Sequence, residues 1–476
     1  MGSTATAAFE KVPGTPLDLM RDYDIEVLGY EEAEYLVTGT ARSYELRGER
    51  GEDGRWDVTE SAEAPFKTRI IVRKPSDPSR FSGVVIVEWH NVSAGIDAAP
   101  DWGFFHRAAT AAGHVFVGVS AQKAGIDGGG ITDGLHLKLL DPGRYEMLEH
   151  PGDAWSFDIF TQVGRLLRLP AGEGPLGGLT AQRLIAAGES QSAACLVTYI
   201  NAIDPHAGVF DGYFVHGRPA AGLTLDGVFI LSARPANGVP AIPEAVLSKG
   251  ERIRDDVRVP VLVLQSETDV IILGGQKARQ PDNDRVRLWE MAGAAHADTY
   301  TVSAGRHDNG TLSGERFAEL LRPTTNLLIG QTETPVNSGP QQHYVAQAAL
   351  DHLVRWVLEG VAPPTTARLE VDDTESDFHK DANGNVLGGI RTPWVDVPVA
   401  TLSGLGQSGD SFAFLFGRTT PFDEATLVGL YPGGKAEYLE RFEGSLDATI
   451  EAGFVRRDDR DEILAIAAAS YPLLLA

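Results

Sequence analysis

Cysteine is almost absent: Cys195 is the single one in 476 residues, so an intrachain disulfide and a cysteine-based metal cluster are both excluded. It falls two turns into an expected helix, where a small buried hydrophobe is the natural role rather than a nucleophile. Positive charge is scarce, with 41 lysines and arginines against 66 aspartates and glutamates and a formal net charge of -25. Without a basic block, an electrostatic grip on nucleic acid or on an anionic lipid surface is not expected. No apolar run approaches the length of a membrane-spanning helix. The opening MGSTATAAFEKVPG has no hydrophobic signal core, which leaves the cytoplasm as the default expectation. The histidines show no metal-ligand spacing, so neither a metal nor another cofactor is expected. Internal repeats are also missing.

What is present is a chain 43% hydrophobic and 22% charged, ample for a large core. Short β-branched runs alternate with helical stretches. TRIIVRKP (68–75), GVVIVEWHN (83–91), HVFVGVSAQ (114–122), RLIAAG (183–188), FDGYFVHG (210–217), VPVLVLQSETD (259–269) and RVRLWEMAG (285–293) read as strands. DWGFFHRAATAAG (101–113), SFDIFTQVGRLLRL (156–169) and YVAQAALDHLVRWVLEG (344–360) read as helices, the last ended by Gly360 and then Pro363-Pro364. This rhythm predicts an α/β fold with a mainly parallel central sheet and helices on both faces.

The most informative stretch is RLIAAGESQSAACLVTYI (183–200). An apolar strand runs into Gly188-Glu189-Ser190-Gln191-Ser192, and a small-residue helix follows at once. That is the layout of a nucleophile elbow, in which a strained strand-to-helix turn lifts a serine into a cleft. The usual G-x-S-x-G is here G-x-S-x-S, a weak match alone. The order of its partners supplies the specificity. In such a fold an acid and then a histidine follow the serine, each just after a strand. VPVLVLQSETDV ends in Ser266-Glu267-Thr268-Asp269, and RLWEMAGAAHAD places His296 just after a strand. Ser190 is therefore the candidate nucleophile and His296 the candidate general base and acid. Asp269 is the candidate orienting acid, with Glu267 as its rival. His90, His114, His150, His216 and His307 lack that placement and are expected mostly as polar surface or loop residues.

A tetrahedral intermediate needs two backbone N–H donors. One should be Gln191, next to the nucleophile; the other should be Asn91 or Val92, in the loop after VVIVEW. The Asn91 side chain could equally pin that loop. Asp381-Ala382-Asn383-Gly384-Asn385 resembles the start of a calcium loop, but its glycine is misplaced and Thr392 stands where a bidentate glutamate belongs. Asn383-Gly384 is better read as a tight hairpin turn.

RFSGVVIVEWHNVSAG (80–95), DPGRYEMLEHPGDAWSFDIFTQ (141–162), AAGESQSA (186–193), QSETDV (265–270), RWVLEGVAPP (355–364) and NGNVLGGIRTPWVDVP (383–398) together resemble a bacterial "alpha/beta hydrolase domain" family with esterase-like members. The resemblance spans most of the chain and implies an α/β-hydrolase fold with a Ser-Asp-His triad, but no particular substrate. It departs from the commoner pattern at His90-Asn91, where His-Gly is more usual, which leaves the second oxyanion donor open.

The expected organisation is an N-terminal extension (1–63), a hydrolase core (64–364) with cap-like insertions at 218–258 and 297–340, and a C-terminal extension (365–476) packed on the core. Phe229, Ile230, Leu231, Leu312, Phe317, Leu320 and Leu321 in the insertions suggest a partly apolar small-molecule ester, although core residues of a small cap would look the same. The expected function is ester hydrolysis through an acyl-enzyme on Ser190. The alternatives are an acyltransferase or amidase with the same residues, or a non-catalytic ligand-binding protein on a hydrolase fold.

Overall fold

A computed structural model describes residues 7–18, 20–129, 135–227, 250–327, 330–410 and 412–473. Its centre is a nine-stranded sheet formed by β1 (Ala8–Val12), β2 (Tyr30–Arg47), β3 (Asp57–Pro75), β4 (Val84–Trp89), β5 (Val115–Val119), β6 (Arg183–Glu189), β7 (Gly212–His216), β8 (Val261–Gln265) and β9 (Val286–Glu290). The spatial order is β1-β2-β3-β5-β4-β6-β7-β8-β9. From β5 through β9 every pairing is parallel, whereas β1, β2 and β3 join antiparallel at one edge. The mainly parallel α/β sheet expected from the sequence is thus present, and each of the seven expected runs holds a strand, though the run 259–269 stops as strand at Gln265 and turns helical.

Burial on both faces explains why these strands are nearly continuous apolar runs. In β4, Val85, Val87 and Trp89 enter one core together with Phe157 and Phe160 of α2 (Ser156–Leu167) and Leu196 of α3 (Gln191–Thr198). Val84 and Ile86 point the other way. They meet Phe105 of α1 (Pro100–Ala111) and, in the same cluster, Leu350 of α5 (Gln341–Glu359). One further short helix, α4 (Glu267–Ile271), follows β8 directly.

The N-terminal segment is not a separate appendage. β1, β2 and the start of β3 belong to the main sheet, and the expected boundary at 63/64 falls inside β3. Charge hides these strands in the sequence. Glu34 and Arg69 are both buried and pair at 3.0 Å, and Arg73 meets Glu32 at 2.8 Å, so polar letters occupy inward positions of the ladder.

Beyond residue 365 the chain forms an antiparallel pair, β10 (Ala400–Ser403) with β11 (Arg418–Pro421), and then α6 (Gly434–Glu451) and α7 (Arg460–Leu473). Phe442, Leu446, Ile463 and Ile466 enter the same apolar cluster as α1 and α5. Ile390 lies beside β9, exchanging backbone hydrogen bonds with Ala292 and Glu290. Asn383 and Gly384 sit in a tight turn between bridged Lys380 and Val386.

Of the two insertions, residues 228–249, with Phe229, Ile230 and Leu231, lie outside the described residues. In the second, Phe317 and Leu321 are buried, and Leu312 and Leu320 pack on the same cluster as α7. Phe317 and Leu321 are therefore core, the role a small cap would give them, while Leu312 and Leu320 are partly buried against the same cluster.

Candidate active site

The strand β6 is buried from Leu184 to Glu189, and its pairing with β7 continues one residue past its end: the Ser190 N–H donates to the His216 carbonyl at 2.8 Å. The Ser190 carbonyl already accepts the first helical bond of α3, from the Ala194 N–H at 3.1 Å. One residue must therefore turn strand into helix, and Ser190 does so at φ 60 and ψ -117. This is a sparsely populated region for a side-chain-bearing residue and is retained where the surroundings over-determine it. Gly188 makes the turn sterically possible, since a Cβ there would stand 2.9 Å from the Ser192 carbonyl oxygen. Ser190 is half-buried while its neighbours are buried, so its hydroxyl is the reachable one.

His296 arrives from the turn after β9. Its Nε2 lies 2.8 Å from Ser190 Oγ, and its Nδ1 lies 2.5 Å from Asp269 Oδ1. Asp269 is held by its own sequence. Ser266 and Asp269 form a capping box at the start of α4, with Asp269 Oδ2 accepting from the Ser266 N–H at 2.6 Å and from Ser266 Oγ at 2.8 Å. One carboxylate oxygen fixes the helix start and the other faces the imidazole. Burial opposes a charged imidazole, yet Glu189 and Asp269 outweigh it and raise His296 to about 9.

Glu267 points elsewhere. Its carboxylate accepts from the backbone N–H of Gly293 at 2.6 Å and of Gly404 at 2.7 Å. Burial raises it to about 7. Together with Thr268, whose hydroxyl donates to the Gly404 carbonyl at 2.7 Å and accepts from the His296 N–H at 3.2 Å, it ties the β8 and β9 loops to the C-terminal segment. This cross-brace was not readable from sequence.

The loop after β4 closes on itself. Asn91 and Ala98 exchange two backbone hydrogen bonds, of 2.8 and 2.9 Å, so the Asn91 N–H is spent. The Asn91 side chain pins the loop, donating to the Glu189 carbonyl at 3.1 Å and accepting from the Ser93 N–H at 2.8 Å. Val92 N–H has only a long contact, 3.4 Å, to the Gln191 side chain. Asp97 anchors the base of the loop through the buried Arg69 at 3.2 Å.

Four of the five rival histidines depart from the surface role expected of them, and His307 keeps it. His90, His114, His150 and His216 are all buried. His114 pairs with Ser82 Oγ at 2.7 Å, His150 with the Ala121 carbonyl at 2.8 Å and His216 with Asp101 at 2.9 Å, so the burial of these three is compensated by a polar partner. His307 is exposed near Asp22. Cys195 is fully buried, and burial pushes its thiol far up, which leaves it unreactive. Glu189 was not singled out by sequence reasoning, although it directly precedes the serine. Its carboxylate Oε1 lies 3.0 Å from His296 Nε2. Among the described residues no group of histidines, cysteines and acids is arranged to hold a metal, and no helix is long and apolar enough to cross a membrane.

A mainly parallel sheet with a strained serine turn after one strand and an acid and a histidine after two later ones is the architecture of an α/β hydrolase. The chain belongs to the alpha/beta hydrolase domain family, whose model matches residues 3–465. No curated protein matches it. Among solved structures it is similar to a putative dienelactone hydrolase from Klebsiella pneumoniae subsp. pneumoniae, at 14% identity and a TM-score of 0.29 over 57% of this chain and 92% of that one. It is likewise similar to acetyl xylan esterase 1 from Thermoanaerobacterium sp., at 12% identity and a TM-score of 0.27 over 52% and 81%. A third is the glucuronoyl esterase from Solibacter usitatus, at 8% identity and a TM-score of 0.28 over 61% and 82%.

Proposed function

We propose that this protein is a serine hydrolase that cleaves a carboxylic ester through an acyl-enzyme on Ser190. The observation that carries this reading is one imidazole spanning two partners, 2.8 Å from a strained, reachable serine hydroxyl and 2.5 Å from a fixed aspartate. His296 Nε2 takes the Ser190 proton as Oγ attacks the acyl carbon, and Asp269 holds the ring tautomer and the charge that forms. The oxyanion would be met by the N–H of Gln191, at the start of α3, and by that of Val92. Asn91 is the poorer choice because its N–H already serves Ala98. His296 then returns the proton to the leaving alcohol, and water enters by the same route in reverse to release the acid.

A purely ligand-binding role would need neither the backbone strain at Ser190 nor a buried histidine–aspartate pair, each of which costs stability. The test is an ester panel graded by acyl and alcohol size, run on the native protein and on two variants. Asp269→Asn should lower turnover by about 10⁴-fold, the loss typical of a misoriented imidazole. Glu267→Gln should act mainly on thermal stability, leaving turnover within about tenfold. A crippled Glu267→Gln beside a mild Asp269→Asn would reassign the acid, and a panel with no turnover at all would sink the esterase reading.

A further inference from the structure

We propose that Glu189, the residue immediately before the nucleophile, is a positioning residue that competes with Ser190 for Nε2 of His296 and so sets the pH at which the serine can be activated. The proposal rests on the catalytic roles given above to Ser190 and His296. An imidazole nitrogen offers a single in-plane hydrogen or lone pair. Here two oxygens converge on it, Ser190 Oγ at 2.8 Å and Glu189 Oε1 at 3.0 Å. Both come from adjacent residues, because the elbow that turns Ser190 outward also aims the preceding side chain at the same ring.

The carboxylate does little to pin the neighbouring loop. The Asn91 amide reaches the Glu189 backbone carbonyl at 3.1 Å and its carboxylate only at 3.4 Å, so the loop is pinned mainly through the main chain. Burying an acid there without a structural duty is costly, and its effect falls on the neighbouring histidine. The charged and titratable groups facing Glu189 are His296, His216 at the end of β7, Asp101 of α1 and Asp269 of α4. His216 is itself engaged by Asp101, at 2.9 Å. Burial lifts Glu189 to about 7 despite the pull of the two histidines. Facing His296 are Glu189 and Asp269, and both carboxylates favour its charged form.

The chemical consequence follows from where the proton sits. With Glu189 ionised and His296 charged, the carboxylate 3.0 Å away holds the proton on Nε2, and no lone pair is free to accept the Ser190 proton. Loss of that one proton frees Nε2 and makes His296 a base, so activity rises with pH as the shared proton leaves. The same carboxylate stabilises the imidazolium that forms during acyl transfer. Glu189 therefore trades a higher working pH for a stronger base once that pH is reached.

The test is the pH profile of kcat/KM for the native enzyme, Glu189→Gln and Glu189→Asp, with the best ester of the panel. The native acid limb should lie above pH 7. In Glu189→Gln it should move down by about one pH unit or more, while the plateau falls by about tenfold because the base is weaker. Glu189→Asp, with its carboxylate drawn back, should move the limb down by less. An unmoved limb in the two variants, whatever happens to the plateau, overturns the proposal. A readout independent of turnover separates it from the catalytic reading: ¹⁵N-histidine NMR titration of the full chain, with His296 assigned by its loss in His296→Ala. A downward shift of the His296 titration in Glu189→Gln supports the proposal even if no ester is hydrolysed, and an unchanged titration refutes it. Should Glu189→Gln fail to fold, Glu189→Asp decides by the same two measurements.

Discussion

Ser192 buries a hydroxyl that finds no hydrogen-bond partner, at the position where the serine elbow normally carries glycine. Its backbone is what matters, since the Ser192 carbonyl lies against Gly188 across the turn. Ser192→Ala should therefore keep activity within about tenfold and gain stability on the order of 1 kcal/mol, by removing an unsatisfied polar group. Ser192→Leu should lose about 1–3 kcal/mol through overpacking and most of its turnover, because Ser190 and the Gln191 N–H move with that backbone. Thermal melting and ester turnover on the two variants check this; a Ser192→Leu protein like the native one would mean that position 192 is not packed in the turn. At this scale much was readable. Ser190 announces itself by the strand before it and the helix after it, whereas the strand expected through Asp269 ends at Gln265, where Ser266 caps a short helix instead. Glu267 and Glu189 were opaque for different reasons. The partners of Glu267 lie 26 and 137 residues away. The direction of the Glu189 side chain depends on a backbone angle that no residue type prescribes.

Elements distant in sequence converge on the loops that carry the candidate acid and base. Gly404, just past β10, packs so closely that a Cβ there would stand 2.6 Å from the Ala294 carbonyl oxygen and 2.7 Å from the Thr268 nitrogen. It also exchanges hydrogen bonds with Glu267 and Thr268. Gly404→Ala should wedge the β8 and β9 loops apart. A displacement of about 1 Å at Asp269 or His296 can cost on the order of 10²-fold in rate, so kcat/KM should fall by about that factor. Kinetics with a melting curve checks it, and unchanged turnover would show that this contact does not position the site. Reading β4 to β9 from sequence worked because strands buried on both faces leave unbroken apolar runs. β2 failed that test, since Glu34 faces inward and is neutralised by Arg69 across the ladder. Fully paired inward charges look like surface in the letters alone.

Across the whole molecule, the candidate residues sit just beyond the carboxyl ends of β6, β8 and β9, the crevice where open α/β sheets place their ligands. Two apolar cores, one on each face, hold those strands in register, and the C-terminal helices complete one of them. The N-terminal strands widen the sheet on the edge away from the site, as the strand order requires. The class of fold followed from alternating periodicity, whereas the cross-braces that fix the site arise only once the C-terminal segment packs against β9. The decisive measurement is the mass of the acyl-enzyme. The native protein, incubated with an activated ester and quenched in acid, should gain the mass of one acyl group, and peptide mapping should place it on Ser190. Ser190→Ala should carry no adduct and turn over no ester. Continued turnover in Ser190→Ala, or an adduct on another residue, would contradict the mechanism.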